Sequence, residues 1–184
     1  MKKILVMGSG NGSNFEAIVN HLYPYDVEVH LFCDKPEATI IERAKRLGVV
    51  YHTLSKVSGA TKEDVFNTIR DLIQAHEYHL IALAGFMLIL PPDIVSTNKV
   101  VNVHPSLLPA FPGLHSIKQA HDYGVKFTGV TVHLVDAGMD TGRILDQEVI
   151  PINPKETLAQ LEERVHKVEH RIFPQNILNL LLYA

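Results

Sequence analysis

Apolar residues recur along this chain in two alternating rhythms. Short β-rich runs cover Lys3 to Met7, Val27 to Cys33, Val49 to His52, His79 to Ala84 and Val100 to Val103, the length and make-up of buried strands. Helical spacing falls between them. It covers Phe15 to Leu22 after Ser13-Asn14, Ile40 to Leu47 before Gly48, and Lys62 to Ala75, where Val65, Ile69, Leu72 and Ile73 form one stripe. A short helical turn follows Pro91-Pro92. Strands separated by helices predict βαβ units and a mostly parallel, doubly covered sheet.

The rhythm changes in the last third. Lys126 to Val135 and Arg143 to Ile152 are two long strands with no helix between them, joined by the turn Asp136 to Gly142. They read as an antiparallel pair that extends the sheet. A closing helix starts near Glu156 with the stripe Leu158, Leu161, Val165, Val168 and Ile172, and Pro174 is expected to kink or end it. The predicted fold is α/β: a Rossmann-like, mostly parallel twisted sheet flanked by helices, with an antiparallel C-terminal strand pair and a closing helix. No repeat, low-complexity tract or linker interrupts the pattern, so a single domain over residues 1–184 is expected.

Composition narrows the partners. At 46% apolar and 20% charged residues, with a net charge of -3, the chain gives no argument for nucleic acid or a membrane surface. The apolar start Ile4 to Met7 is too short for a signal peptide, and no apolar run is long enough to span a bilayer. One cysteine, Cys33, cannot form an internal disulfide. It reads as a small buried residue at a strand end, and a reducing, cytoplasmic location is expected.

The candidate chemistry centres on Asn102 and His104, which project from the same face of one strand just where it opens into a proline-bounded loop. A neutral donor beside a titratable one suits a developing oxyanion. If the last two strands return beside the Val100 strand, the Asp140 carboxylate reaches His104 and holds it as a donor. Asp136, in the same turn, is expected to cap its own backbone.

The loop Gly8 to Asn14 lacks the third glycine of a dinucleotide motif and the lysine of a P-loop. It reads either as a monophosphate nest, with Gly12, Ser13 and Asn14 as donors, or as a plain tight turn with Ser13 as helix N-cap. His166-Lys167-Val168-Glu169-His170 spells the H-x-x-E-H zinc pattern, but a third ligand is lacking, so no metal is assigned. Glu169 reads as a grip on a substrate amine or hydroxyl, or as part of a solvated helix face. His133 stands behind the site at most, and His115 and His121 read as surface or loop residues. Ser106 has no nucleophile-elbow sequence around it, which weighs against a Ser-His-Asp hydrolase.

Several of these pieces together are similar to a known family. Asn102-Val103-His104-Pro105-Ser106-Leu107-Leu108-Pro109 with Asp136 to Gly142 downstream resembles the folate-dependent formyltransferases. Ala84 to Met87 adds to the resemblance, and Gly10 to Asn14 with Pro112 to His115 favours the branch of the phosphoribosylglycinamide formyltransferases. The resemblance covers nearly the whole chain. It implies formyl transfer from 10-formyltetrahydrofolate, as co-substrate, to the primary amine of glycinamide ribonucleotide in purine biosynthesis. Asn102, His104 and Asp140 would form the catalytic set. Gly12, Ser13 and Asn14 would hold the ribonucleotide phosphate, and Glu169 would contact the same substrate. Folate would lie against Met87, Leu88, Ile89 and Leu90, Asn102, and the loop Asp136, Ala137, Gly138, Met139 and Asp140, with Lys62 where the family often has arginine near the folate tail.

Leu88 departs from the family, many members of which carry a basic residue there. Partners are small molecules only, and no oligomeric state is implied. Methionyl-tRNA formyltransferase would be expected to add a C-terminal RNA-binding domain, and formyltetrahydrofolate deformylase an N-terminal regulatory one. A phosphate-binding α/β module without enzymatic activity is the reading from another class.

Overall fold

The computed structural model of the chain describes residues 1–54 and 59–183. Its elements are β1 (Lys2–Met7), α1 (Ser13–Leu22), β2 (Val27–Cys33), α2 (Thr39–Leu47), β3 (Val50–Thr53), α3 (Lys62–His76), β4 (Leu80–Leu83), α4 (Pro92–Thr97), β5 (Val100–His104), α5 (Ser116–Tyr123), β6 (Phe127–Leu134), β7 (Ile144–Pro151) and α6 (Leu158–Tyr183). The strands form one sheet in the order β3-β2-β1-β4-β5-β6-β7. From β3 to β5 all neighbours are parallel, and β6 and β7 add on antiparallel.

Alternation along the strands builds two cores. Ile4, Val6, Leu31, Ala82, Val101 and Val103 pack with Phe15, Ile18, Ile40 and Phe173 of α1, α2 and α6. Leu5, Met7, Phe32, Ile81 and Leu83 pack on the other face with Val65 and Ile69 of α3. A strand apolar on both faces reads as a continuous run, which is why the periodicity marked the parallel strands so clearly. Strand order runs outward to opposite sides from β1 and β4, so the loops after their C-terminal ends diverge and open a crevice.

Three expectations need correction. His121, expected at the surface or in a loop, lies half-buried on α5, a helix that the sequence pattern left unassigned, and its Nε2 is 3.1 Å from the Glu156 carbonyl. The segment is mostly polar and buries only Ser116, Ile117 and Ala120, too narrow a stripe to stand out. Ser13 is not an N-cap. Gly12 caps α1 in the left-handed conformation (φ 81°) without any side-chain hydrogen bond. Of the two outcomes expected at Pro174, a kink or an end, the end does not occur: the closing helix continues to Tyr183. An interior proline costs about 3 kcal/mol. The buried Phe173, Ile177, Leu178 and Leu181 around it, at about 1.5–3 kcal/mol each, outweigh that.

At the far end of the sheet, β6 and β7 shift register at Val132/His133, with Leu145 as the extra residue on β7. The turn that follows closes tightly. A Cβ at Gly142 would lie 1.8 Å from the Leu134 carbonyl oxygen, so only glycine fits. Among the described residues, no helix is long and apolar enough to cross a membrane.

Candidate active site

A cavity of about 610 Å³ opens at the switch point, lined by the ends of β4 and β5, the Asp136–Thr141 turn and one face of α6. That volume suits a small-molecule site.

Asn102 and His104 project into it from β5 as expected. Asn102 Nδ2 is 3.1 Å from Nε2 of His133, its register partner on β6. His133 Nδ1–H donates to the Leu134 carbonyl at 2.8 Å. Its Nε2 is therefore left to accept from Asn102 as a neutral ring, or to donate toward Asp140 Oδ1, 3.7 Å away, as a cation. His133, expected behind the site, is a buried bridge within it.

The environment of His104 is more demanding. The ring is buried. Its Nε2–H donates to the Phe111 carbonyl at 2.9 Å, and Nδ1 is 3.4 Å from Asp140 Oδ2. Both nitrogens face acceptors. The doubly protonated ring satisfies both, whereas a neutral ring turns one lone pair toward an oxygen.

Asp140 stands at φ 54°, a left-handed conformation that aspartate tolerates. Its Oδ2 accepts the Gly113 N–H at 2.8 Å. The His133 imidazole, acting against burial and helped by the Gly113 N–H and the His104 charge, holds the Asp140 carboxyl at about 2. Asp136 caps its own turn as expected, accepting from Gly138 N–H at 3.0 Å and from the Thr141 hydroxyl at 2.7 Å.

The opposite wall includes Asn14, in the first turn of α1 just past the loop after β1. Gly12 lies so close to α2 that an added Cβ would meet the Ile40 side chain at 2.5 Å. Arg43 of α2 clamps the loop through Asn11, from Nε to its carbonyl at 2.8 Å and from Nη2 to Oδ1 at 2.9 Å. The loop therefore presents the first N–H groups of α1, which have no partner within the helix, on a rigid frame. Gly12 and Ser13 sit at this helix start but outside the cavity lining, which Asn14 alone of the three reaches. Asn14 Nδ2 donates to Glu169 Oε2 at 3.2 Å, and His166 Nδ1 lies 2.8 Å from the same oxygen.

Glu169 is thus a carboxylate only 3% exposed, held by a donor on each side. Its hydrogen bond raises the pKa of His166, while burial lowers that of His170. Among the described residues, no third ligand joins His166 and His170 into a metal cluster.

Met87, Leu88, Ile89 and Leu90 form an apolar wall between these two groups. Leu88 is half-buried and packs toward the Phe32 core, so this wall has no cation of its own at that position. Gly138 and Met139 line the cavity, but Ala137 does not, and Lys62 is exposed at the start of α3, away from the lining. Ser106 is fully buried, and its hydroxyl is spent on the Ala110 carbonyl at 2.5 Å, so it braces the loop. The Leu108–Pro109 bond in that loop is cis. The backbone partners at Phe111 and Gly113 carry no side-chain signal in the sequence. The alternation of apolar and polar residues around His133 is the one clue that pointed toward it.

Comparison with known proteins bears on the chain as a whole. The family model described as formyl transferase matches residues 2–177. A phosphoribosylglycinamide formyltransferase of Bacillus subtilis (strain 168) is 44% identical over 98% of this chain and 95% of its own. The crystal structure of glycinamide ribonucleotide transformylase 1 from Geobacillus kaustophilus superposes with a TM-score of 0.91, at 44% identity over 98% of this chain and 99% of that one. The phosphoribosylglycinamide formyltransferase of Streptococcus pneumoniae TIGR4 gives a TM-score of 0.89 at 39% identity, with 98% and 99% covered.

Proposed function

This chain belongs to the formyl transferase family, and from that premise we propose how its cavity moves a formyl group from 10-formyltetrahydrofolate to the primary amine of glycinamide ribonucleotide. The products are N-formylglycinamide ribonucleotide and tetrahydrofolate. The observation that carries the reading is one cavity with two ends. Asn102, His104, His133 and Asp140 gather at one, and the α1 N-terminus with Asn14 and Glu169 at the other.

The α1 N–H groups with Gly12 and Ser13 bind the ribonucleotide phosphate, and Glu169 and Asn14 hold the substrate beside it. Folate lies along the apolar wall from Met87 to Leu90 and against the loop from Asp136 to Asp140. Placing both reactants in one pocket removes much of the entropic barrier. As the amine attacks the formyl carbon, negative charge develops on the formyl oxygen. Asn102 donates its amide hydrogen to that oxygen at any pH.

His104 is tied through Nε2 to Phe111, so Nδ1 is its working atom. At 3.4 Å its hydrogen is held only loosely by Asp140 and tightens onto the reacting atoms in the complex. With a pKa of about 2, Asp140 is too acidic to keep a proton taken from the amine. Its part is electrostatic, sustaining the His104 cation. His104 gives its Nδ1 proton to the departing folate nitrogen and is recharged by the proton that the amine loses. Lys62, exposed at the head of α3, is offered to the folate tail outside the cavity, and the reaction itself calls for no metal.

The test mixes protein, 10-formyltetrahydrofolate and glycinamide ribonucleotide and follows folate release. Release that depends on the amine is expected. Equal release without the amine marks a hydrolase and overturns the reading.

A further inference from the structure

Away from the cavity, three imidazoles converge where the edge of the sheet meets the end of α3. His30 stands in β2, His52 in β3, and His76 is the last residue of α3. One ligating atom from each lies within 4.8 Å of the others. The ring centroids are 5.5 Å apart for His30 and His52, 5.0 Å for His30 and His76, and 5.6 Å for His52 and His76. None of the three lines the cavity.

Strand register explains the convergence. His52 is the partner of Phe32, and His30 lies two residues before Phe32. Both side chains therefore leave the sheet on the face that α3 covers. The last turn of α3 sets His76 beside them.

The hydrogen bonds around the cluster resemble those of a ligand set. Glu28 Oε1 is 2.8 Å from His30 Nε2. A carboxylate only accepts, so Nε2 carries the hydrogen and Nδ1 offers its lone pair, now taken up by the Tyr78 hydroxyl at 2.7 Å. A carboxylate behind one ring nitrogen fixes the tautomer and makes the other nitrogen more basic, as behind metal-bound histidines. The second observation is independent of the first: His52 Nε2 is buried and has no hydrogen-bond partner. A buried imidazole nitrogen without a partner is costly, and a cation would satisfy it.

We propose that His30, His52 and His76 bind a divalent transition-metal ion of the zinc type, with Glu28 orienting His30. Neutral imidazoles suit zinc, cobalt, nickel or copper and discriminate against the oxygen-seeking magnesium and calcium. Zinc takes nitrogen ligands at about 2.0–2.1 Å, so the rings draw inward on binding, and His30 gives up its bond to Tyr78. The ion would clamp β2 and β3 to the end of α3. It is separate from the formyl-transfer machinery.

The metal-free protein is titrated with Co²⁺, and the cobalt is then displaced by Zn²⁺. Visible absorption bands of a tetrahedral site that saturate at one equivalent are expected, with a rise of several degrees in Tm on adding Zn²⁺. His52→Gln and His76→Gln should each weaken cobalt binding at least 100-fold and abolish the rise. Their metal-free Tm and far-ultraviolet circular dichroism confirm folding, and amine-dependent folate release should stay within twofold of wild type. His166→Gln should bind cobalt like the parent. A wild-type protein without saturable cobalt bands below millimolar metal overturns the proposal. So do bands that survive in both folded variants, or that vanish with His166→Gln.

Discussion

Asp140→Asn is the most discriminating perturbation of the site, because it removes charge and little else. Asparagine tolerates the left-handed backbone at φ 54° as well as aspartate does, and its carbonyl can still accept the Gly113 N–H. What disappears is the negative charge 3.4 Å from His104 and 3.7 Å from His133. The carboxyl is held at about 2 rather than 3.8, a preference for the charged form of about 2.4 kcal/mol at 1.36 kcal/mol per unit. Solvent screening at a side chain still 13% exposed trims this to about 2 kcal/mol. The attraction of two unit charges at 3.4 Å in an effective dielectric of about 20 sets an upper bound near 5 kcal/mol.

If the transition state draws on the lower figure, kcat falls about 30-fold, and at the upper figure about 5 × 10³-fold. The assay is steady-state folate release with saturating amine, run across pH. The variant's pH-rate profile should differ from wild type, since the site has lost the charge of Asp140. Stability follows the same charge. The folded pKa lies below the unfolded one, so the contribution is complete above about pH 4 and disappears as pH falls toward 2. The variant's Tm should therefore depend less on pH across that window. A folded Asp140→Asn protein with kcat within threefold of wild type and an unmoved profile would refute the assignment.

Other substitutions separate the two ends of the cavity. Asn102→Ala should lower kcat by about 10²–10³, the cost of one oxyanion donor, and His104→Ala by at least as much; single-turnover kinetics checks that chemistry has slowed. Gly12→Ala forces a Cβ into Ile40 at a left-handed φ and should cost more than about 1 kcal/mol, read as a lower Tm with a raised KM for the ribonucleotide. Glu169→Gln discards a buried carboxylate with two donors aimed at it. It should raise KM for the ribonucleotide about tenfold or more while leaving KM for folate near wild type, a split that steady-state kinetics resolves.

The sequence was most legible where structure is local. Strands buried on both faces announce themselves as runs, and the 102–104 spacing puts the amide and the imidazole on one face whatever surrounds them. Asp140 required one assumption about how the last strands return, and the β5–β6 pairing meets it. Less legible were contacts made by backbone atoms, such as the Phe111 carbonyl on His104, because no side chain records them. The helix through Pro174 defied a local rule because its cost is offset by burial at distant positions. His30, His52 and His76 carry no motif at all. Only the register of β2 against β3 and the length of α3 bring them together.

The contact between Asn14 and Glu169 joins positions 155 residues apart in the chain. The end of the pocket proposed for the ribonucleotide is therefore built by the first helix and the last together, and neither helix forms it alone. In a chain made from its N-terminus, the early βα units come first, yet both their core against Phe173 and the pocket wait for α6 to dock. Ribonucleotide binding is thus a report that folding is complete, and the ligand's free energy of binding is added to the stability of that final docking step.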